Sequence, residues 1–320
     1  MTGVGTAVRA PVAPLARALT IVGDAWSVRI IRSVFVGRRT FGALRDGLGI
    51  SDAVLSRRLS GLVAEGVLTH PSARPDAAAA REYRLTEEGK DLWRVLVAIR
   101  SWDEAWAGPG HPDSAIELHH HTCGRATHPM LGCGACGAIG VRPQDVVAHA
   151  DDGLFLDVTA GRSRRLAGSG LAMDSTRVLG DNWATLVLAC ALMGATRFQD
   201  FERQLPIPAG TLTSRLRDFV DADVLRRDAH REGARRQVYR LTPRGLDFFA
   251  VAAMINDWSR SWLAPDGHSG LSLVHRACGG ELQPQFTCNC CNGVLERTEV
   301  SFRGRNLEGA AGEESPASAR

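Results

Sequence analysis

A 19-residue stretch stands in two versions in this chain, 157 residues apart: ISDAVLSRRLSGLVAEGVL from Ile50 to Leu68, and IPAGTLTSRLRDFVDADVL from Ile207 to Leu225. In the first, Leu55, Leu59, Leu62 and Val63 fall at i, i+4, i+7 and i+8, one apolar stripe of a helix. Leu212, Leu216, Phe219 and Val220 repeat that stripe in the second. Ser51 is the predicted N-cap of the first helix, and Pro208 occupies its place in the second. The same offset matches Gly23, Asp24 and Trp26 with Gly180, Asp181 and Trp183, and Phe41 with Phe198. Self-similarity with a period as long as a domain means a duplicated domain and not a solenoid. The 320 residues agree with that, being enough for about two domains of ~100–200 residues each.

Hydrophobic residues make up 44% of the chain, so each half can build its own core. There is no run of ~18 or more apolar residues, and the N-terminal stretch lacks a signal-peptide core, so a cytoplasmic protein without a membrane span is expected. In that compartment the eight cysteines are better explained as metal ligands or buried thiols than as disulfides. A net charge of +3 is mildly basic, so any nucleic-acid surface has to be locally charged.

Taken in order, residues 1–13 read as a flexible arm. Leu15, Leu19 and Val22 then repeat at helical spacing up to Gly23, and a second helix carries Trp26, Ile30, Ile31 and Val34. Thr40 caps a short helix with Phe41, Leu44 and Leu48 inward, and the stretch from Ile50 follows after a turn. A short helix, a turn and an amphipathic helix make a helix-turn-helix. Val67 to His70 and Glu82 to Leu85 read as a hairpin wing, and Thr86 caps the next helix, which Trp102 and Trp106 close.

Hydroxyls and guanidiniums off the apolar stripe suit the major groove, which marks Ser56, Arg57, Arg58 and Ser60 as DNA-contacting candidates, and Thr211, Thr213, Ser214, Arg215 and Arg217 in the second copy. Arg81 is the candidate from the first wing. The second wing carries Arg226, Arg227, Arg231, Arg235, Arg236 and Arg240 against only Asp228 and Glu232. Such a run is often simply a solvated face; on a hairpin beside a recognition helix, Arg231, Arg235 and Arg236 become phosphate or minor-groove contacts.

The succession GDAW, RRTFGALRDGL, LSRRLSGLVAEGVL, REYRLTEEGKDLW resembles the HxlR family of winged-helix transcriptional regulators. The second half resembles it again through GDNW, TRFQDFERQL, LTSRLRDFVDADVL and RQVYRLTPRGLDFF. The resemblance implies a winged helix-turn-helix fold, sequence-specific DNA binding in the regulation of transcription, and dimerisation through the first and last helices. Ala13 and Gly170 stand where members often carry a cysteine, and Ala25 and Asn182 where they often carry a basic residue.

After each half comes the same ligand spacing, His-x2-Cys-x9-Cys-x2-Cys: His120, Cys123, Cys133 and Cys136, then His275, Cys278, Cys288 and Cys291. Three thiolates and an imidazole can close a tetrahedron around zinc, so two structural zinc ions per chain are expected, one for each set, with iron as the other metal that fits. Gly124, Gly137, Gly279 and Gly293 are the expected turn glycines. Of three consecutive histidines only His120 matches His275, so His119 and His121 are expected in solvent. Cys290 has no counterpart, and Cys190 in LVLACALM reads as a buried thiol.

The expected fold class is α+β, mainly α with small β wings. The domains run as winged helix one (14–110), a zinc-ribbon-like module and linker (117–165), winged helix two (168–265), a second such module (271–303) and a compositionally disordered tail (306–320). Four protein ligands leave a metal no open position, and no nucleophile-base constellation is visible, so an enzyme is not expected. A zinc-dependent or dithiol redox enzyme, or an interaction module that no longer binds DNA, are the competing classes. The expected partners are double-stranded DNA and, within the chain, each half for the other. Homodimerisation and a small-molecule effector stay open.

Overall fold

The computed structural model describes residues 13–69, 82–106, 116–156, 182–229 and 237–304. Residues 1–12 of the expected arm, the expected tail, and the candidates Arg81, Arg231, Arg235 and Arg236 lie outside them.

Head one starts with α1 (Pro14–Val22) and α2 (Ala25–Phe35). Asp24 caps α2, its carboxylate accepting from the Ser27 amide at 2.8 Å and the Ser27 hydroxyl at 2.9 Å. Thr40 caps α3 (Phe41–Leu48) through the Ala43 amide at 3.3 Å. The predicted recognition helix is α4 (Asp52–Ala64), with Leu55, Leu59 and Leu62 buried as the stripe requires. Ser51 is the N-cap residue as predicted, but its side chain makes no capping bond. The wing is β1 (Leu68–Thr69) against β2 (Arg84–Leu85), and Thr86 then caps α5 (Glu87–Asp91), followed by α6 (Trp93–Trp106).

Five strands follow: β3 (Ile116–His120), β4 (Arg125–Ala126), β5 (Pro129–Cys133), β6 (Ala138–Ile139) and β7 (Val146–Ala150). Head two repeats the first with α7 (Asn182–Leu192), α8 (Phe198–Gln204), α9 (Ala209–Asp221), β8 (Leu225–Ala229), β9 (Gln237–Leu241), α10 (Pro243–Asp247) and α11 (Phe249–Trp262). Pro208 starts α9 with no side-chain cap, so both recognition helices begin alike. Phe201 fills the place of Leu44, each fully buried. The chain ends in β10 (Leu271–His275), β11 (Pro284–Cys288) and β12 (Val300–Gly304). No described helix is long and apolar enough to cross a membrane.

The halves are interleaved. α1 lies along α11 and against α7, and α6 packs on α11. A Cβ on Gly23 would sit 2.2 Å from the Leu19 carbonyl oxygen and 2.7 Å from the Thr185 hydroxyl of α7, so this approach of the two halves needs glycine. Four tryptophans reach across in matched pairs. Trp102 donates to the Arg244 carbonyl and Trp258 to the Glu88 carbonyl; Trp106 donates to Asp247 and Trp262 to Asp91, all at 2.9 Å. Each indole thereby finds a partner for its one polar group, and the rings of Trp102 and Trp258 are buried in the joint.

The strands cross over too. β3 pairs with β12, β10 with β7, and β5 with β11, each antiparallel over five residues. Among the described strands that follow the heads, the short β3–β4 and β5–β6 pairs stay within one half, as the wing pairs do. The expectation of two self-contained ribbon modules, one after each head, is therefore corrected: the two segments share their sheets.

Candidate metal centres and nucleic-acid interface

Each predicted ligand pair lies on a tight knuckle, and the four knuckles are built the same way. The amide four residues after the first ligand donates to that ligand's carbonyl: Gly124 to His120, Gly137 to Cys133 and Gly279 to His275 at 2.8 Å, and Asn292 to Cys288 at 2.9 Å. That residue must take a left-handed conformation, and φ is 67°, 74° and 69° at the three glycines. In the fourth knuckle Asn292 does it, at φ 59°, and not the expected Gly293. Gly293 serves the site differently, since a Cβ there would lie 3.2 Å from the His120 ring and 3.3 Å from Cys291 Sγ.

The eight ligands gather as two groups, but not the two the spacing suggested. One is His120 and Cys123 with Cys288 and Cys291; the other is Cys133 and Cys136 with His275 and Cys278. Each takes one knuckle from either half. The ladder between β5 and β11 explains the exchange. Where β5 ends at Cys133, the Gly134 amide donates to the Gln283 carbonyl at 2.7 Å, and Leu282 in turn bonds Leu273 of β10, the strand that ends at His275. At the other end Asn289 accepts from the Thr127 hydroxyl and the His128 amide at 3.0 Å, bringing the Cys288 knuckle beside the His120 turn.

The donor geometry fits a tetrahedral metal. In the first group Cys123 Sγ lies 3.8 Å from Cys288 Sγ and 3.6 Å from His120 Nδ1, and Cys291 Sγ lies 3.4 Å from the same nitrogen. In the second, Cys136 and Cys278 sulfurs each lie 3.4 Å from His275 Nδ1. A tetrahedron with Zn–S of ~2.3 Å and Zn–N of ~2.0–2.1 Å has edges of about 3.8 Å and about 3.6 Å. The imidazole nitrogen away from the first group, His120 Nε2, is buried without a hydrogen-bond partner among the described residues, and the nearest carboxylate, Glu299, lies 4.0 Å away.

Two of the thiols are prepared for deprotonation. At Cys288 burial acts to raise the pKa, but the Thr127 side chain and the Cys290 and Cys291 amides outweigh it and hold the thiol down at about 6. Cys133 is lowered in the same way, against burial, by the Gln283, Ala135 and Cys136 amides. Cys136 is raised: the Ala138 amide lowers it, but desolvation and the Cys133 and Cys278 sulfurs prevail. Burial pushes Cys190 upward, and exposed Cys290 donates to the Ala126 carbonyl at 3.3 Å. His121 is exposed as expected. His119 is not: its ring is largely covered and its Nε2 meets Glu117 at 3.3 Å.

On the DNA-reading side the structure separates the candidates. Ser56, Arg57 and Ser60 stand exposed on α4, and Thr213 and Arg217 on α9, while Thr211 and Ser214 are half-buried. Thr213 spends its hydroxyl on the Ala209 carbonyl at 2.9 Å. Arg58 corrects the expectation of a groove-facing side chain, because its Nη2 lies 2.6 Å from buried Asp24 Oδ1 and ties α4 to the start of α2. Arg215, in the matching place, holds Asp218 at 3.1 Å. Sequence reasoning noted Asp24 only as part of the repeat; its position before a helix was the signal that it caps, but nothing local pointed to Arg58.

The wings differ as well. β1 and β2 pair over two residues and β8 and β9 over five. In the second wing Arg226 and Arg240 share Asp228, each at 3.4 Å, and stay well exposed, with Arg227 beside Tyr239. In the first, Arg84 is tied to Glu82 at 3.2 Å.

Two winged helix-turn-helix heads on one cysteine-rich joint define the class, a DNA-reading architecture present twice in one chain. The chain belongs to the HxlR-like helix-turn-helix family, whose model matches residues 21–111 and 178–267. An uncharacterized HTH-type transcriptional regulator of Mycobacterium tuberculosis is 43% identical over 122 residues, 38% of this chain and 75% of that protein. Another, YvaP of Bacillus subtilis, is 32% identical over 98 residues, 30% of this chain and 90% of its own length. Among solved structures, PA1607 is 29% identical with a TM-score of 0.36, over 42% of this chain and 93% of that one. PA1374 of Pseudomonas aeruginosa is 28% identical with a TM-score of 0.30, over 45% and 92%. TM-scores that low carry no argument, and the family match stands on sequence.

Proposed function

We propose that this chain is a DNA-binding transcriptional regulator in which one polypeptide does the work of a dimer, its two unlike heads held at a fixed separation by a joint stapled with two zinc ions. The observation that carries this reading is the joint: helices, strands and ligand sets all combine across the halves, leaving α4 and α9 as two recognition helices of one body. A homodimeric reader presents identical helices and favours a palindrome. Here Ser56, Arg57 and Ser60 face Thr213, Ser214 and Arg217 at matching places, so the operator has two different half-sites.

Zinc suits a donor set of three thiols and one imidazole better than harder cations do, and four protein donors leave no coordination position for water or substrate. That favours a structural role. Arg57 and Arg217 are the guanidiniums free to read bases, and the second wing supplies the stronger phosphate grip through Arg226, Arg227 and Arg240, with Arg231, Arg235 and Arg236 as further contacts.

Footprinting on selected genomic fragments, combined with the mass of the complex in solution, tests this. The expected result is one chain protecting one asymmetric site. Two chains on a palindrome, each using a single head, would overturn it. In the same assay the Arg235→Ala/Arg236→Ala double variant is expected to lower the salt slope by about 2 without changing sequence preference.

A further inference from the structure

Between α2, α6 and β12 lies a cavity of about 290 Å³, at the small end of the range of about 300–1,000 Å³ usual for ligand sites. Its walls are mostly apolar, with Trp93 and Leu96 inside and Phe302 at the mouth, where Phe302 and neighbouring Val36 are unusually exposed for their type. The charged groups lining it are Arg32, Arg100 and Arg297; among the described residues no carboxylate lines it. Arg100 is buried, bonds Glu104 at 3.0 Å and lies beside the Phe302 ring. Arg297 is exposed and makes no hydrogen bond with the described residues; the Glu87 carboxylate, outside the chamber lining, is its charged neighbour.

The duplication shows that two of these cations, Arg32 and Arg100, are not needed by the scaffold. At the corresponding places of head two stand Ala189 for Arg32, Ala252 for Leu96 and Asn256 for Arg100. Asn256 is buried and saturated, donating to the Leu271 carbonyl at 3.3 Å and accepting from the Ser269 hydroxyl at 2.7 Å. Where head two closes this position with its own hydrogen bonds, head one has a chamber lined by apolar side chains and guanidiniums.

We propose that this chamber binds a small apolar monoanion, an aromatic or branched-chain carboxylate, whose hydrocarbon body rests on Trp93 and Leu96 and whose charge is met by Arg297 at the rim. An apolar body gains by leaving water, and a carboxylate there is stabilised by a charge-assisted bond that an alcohol or amine cannot reproduce. Binding is one per chain. Helix α2, one wall of the chamber, is capped by Asp24, which holds Arg58 of α4, so occupancy has a short structural route to the recognition helix of head one. The proposal does not depend on the DNA-binding reading, since it is tested without DNA.

The test is titration calorimetry of the metal-loaded full chain with benzoate, phenylacetate and isovalerate, set against benzyl alcohol and benzylamine. One equivalent of at least one carboxylate is expected to bind, with the alcohol and the amine at least about tenfold weaker. Arg297→Gln, a surface change, is expected to weaken carboxylate binding by about tenfold with the circular dichroism unchanged, and Phe302→Ala to weaken it as well. Equal affinity for benzoate and benzyl alcohol, or an Arg297→Gln variant that binds as well as the parent, overturns the proposal. So does the absence of binding by every carboxylate, or binding that appears only after residues 305–320 are deleted, which would make the chain's own terminal segment the occupant.

Discussion

The two heads and the joint between them have followed different rules. Across the joint the halves remain interchangeable: Trp102 matches Trp258, Trp106 matches Trp262, and each metal centre takes a histidine knuckle from one half and a cysteine knuckle from the other. On the exposed faces they have separated, with Arg57 against Ser214, Ser60 against Arg217, and a two-residue wing ladder against one of five. A residue whose partner lies in the other half cannot change alone without leaving that partner's polar group unpaired. A residue facing solvent has no such tie, so the reading surfaces were free to diverge while the joint was not.

The sharpest way to break this comparison is through the metal. Because each centre draws on both halves, Cys133→Ser and Cys288→Ser are each expected to reduce zinc from about two to about one per chain and to loosen both heads at once. Structural zinc contributes on the order of 10 kcal/mol in small domains, so chelation is expected to abolish cooperative unfolding of the joint and binding to a two-half-site duplex. Elemental analysis and calorimetry check this; melting of one head with the other untouched would mean that the centres close within the halves.

Next in size is the difference between two carboxylates. Asp24→Ala removes a helix cap and the buried partner of Arg58, with an expected loss of about 2–4 kcal/mol, read by urea unfolding. Asp218→Ala breaks a partly buried i, i+3 pair within one helix, with no helix cap lost, and is expected to cost about 1 kcal/mol. Equal losses would show that head two leans on Arg215 as head one leans on Arg58.

On DNA, Arg57→Ala and Arg217→Ala are each expected to relax base preference by about 1–3 kcal/mol, at different half-sites of the same operator. Competition between operators altered in one half-site measures it, and a uniform loss over all sequences would move the arginine to the phosphate-contacting class. The smallest effect belongs to the joint's hydrogen bonds. Trp102→Phe and Trp258→Phe each delete an indole-to-carbonyl bond and are expected to lower stability by about 1 kcal/mol and by the same amount. Unequal values would show that the joint is less reciprocal than its geometry.

Much of the molecule is legible one segment at a time. Apolar spacing placed α4 and α9, Thr40 and Thr86 marked helix starts, and the ligand spacings picked out the eight side chains that gather in the two candidate metal sites, because helices, caps and knuckles are made by residues within about four positions of each other. What stayed out of reach joins residues far apart in the chain. A knuckle supplies only two ligands, and two identical sets close equally well within a half or between halves; the pairing of β5 with β11 decides for the second. In the same way α4 shows that Arg58 lies off its apolar stripe, but only the packing of α2 against α4 puts a buried carboxylate beside it and takes it away from the DNA. Local spacing is set by backbone geometry and survives in any fold, whereas the choice among chemically equal partners is made by which strands and helices come to lie side by side.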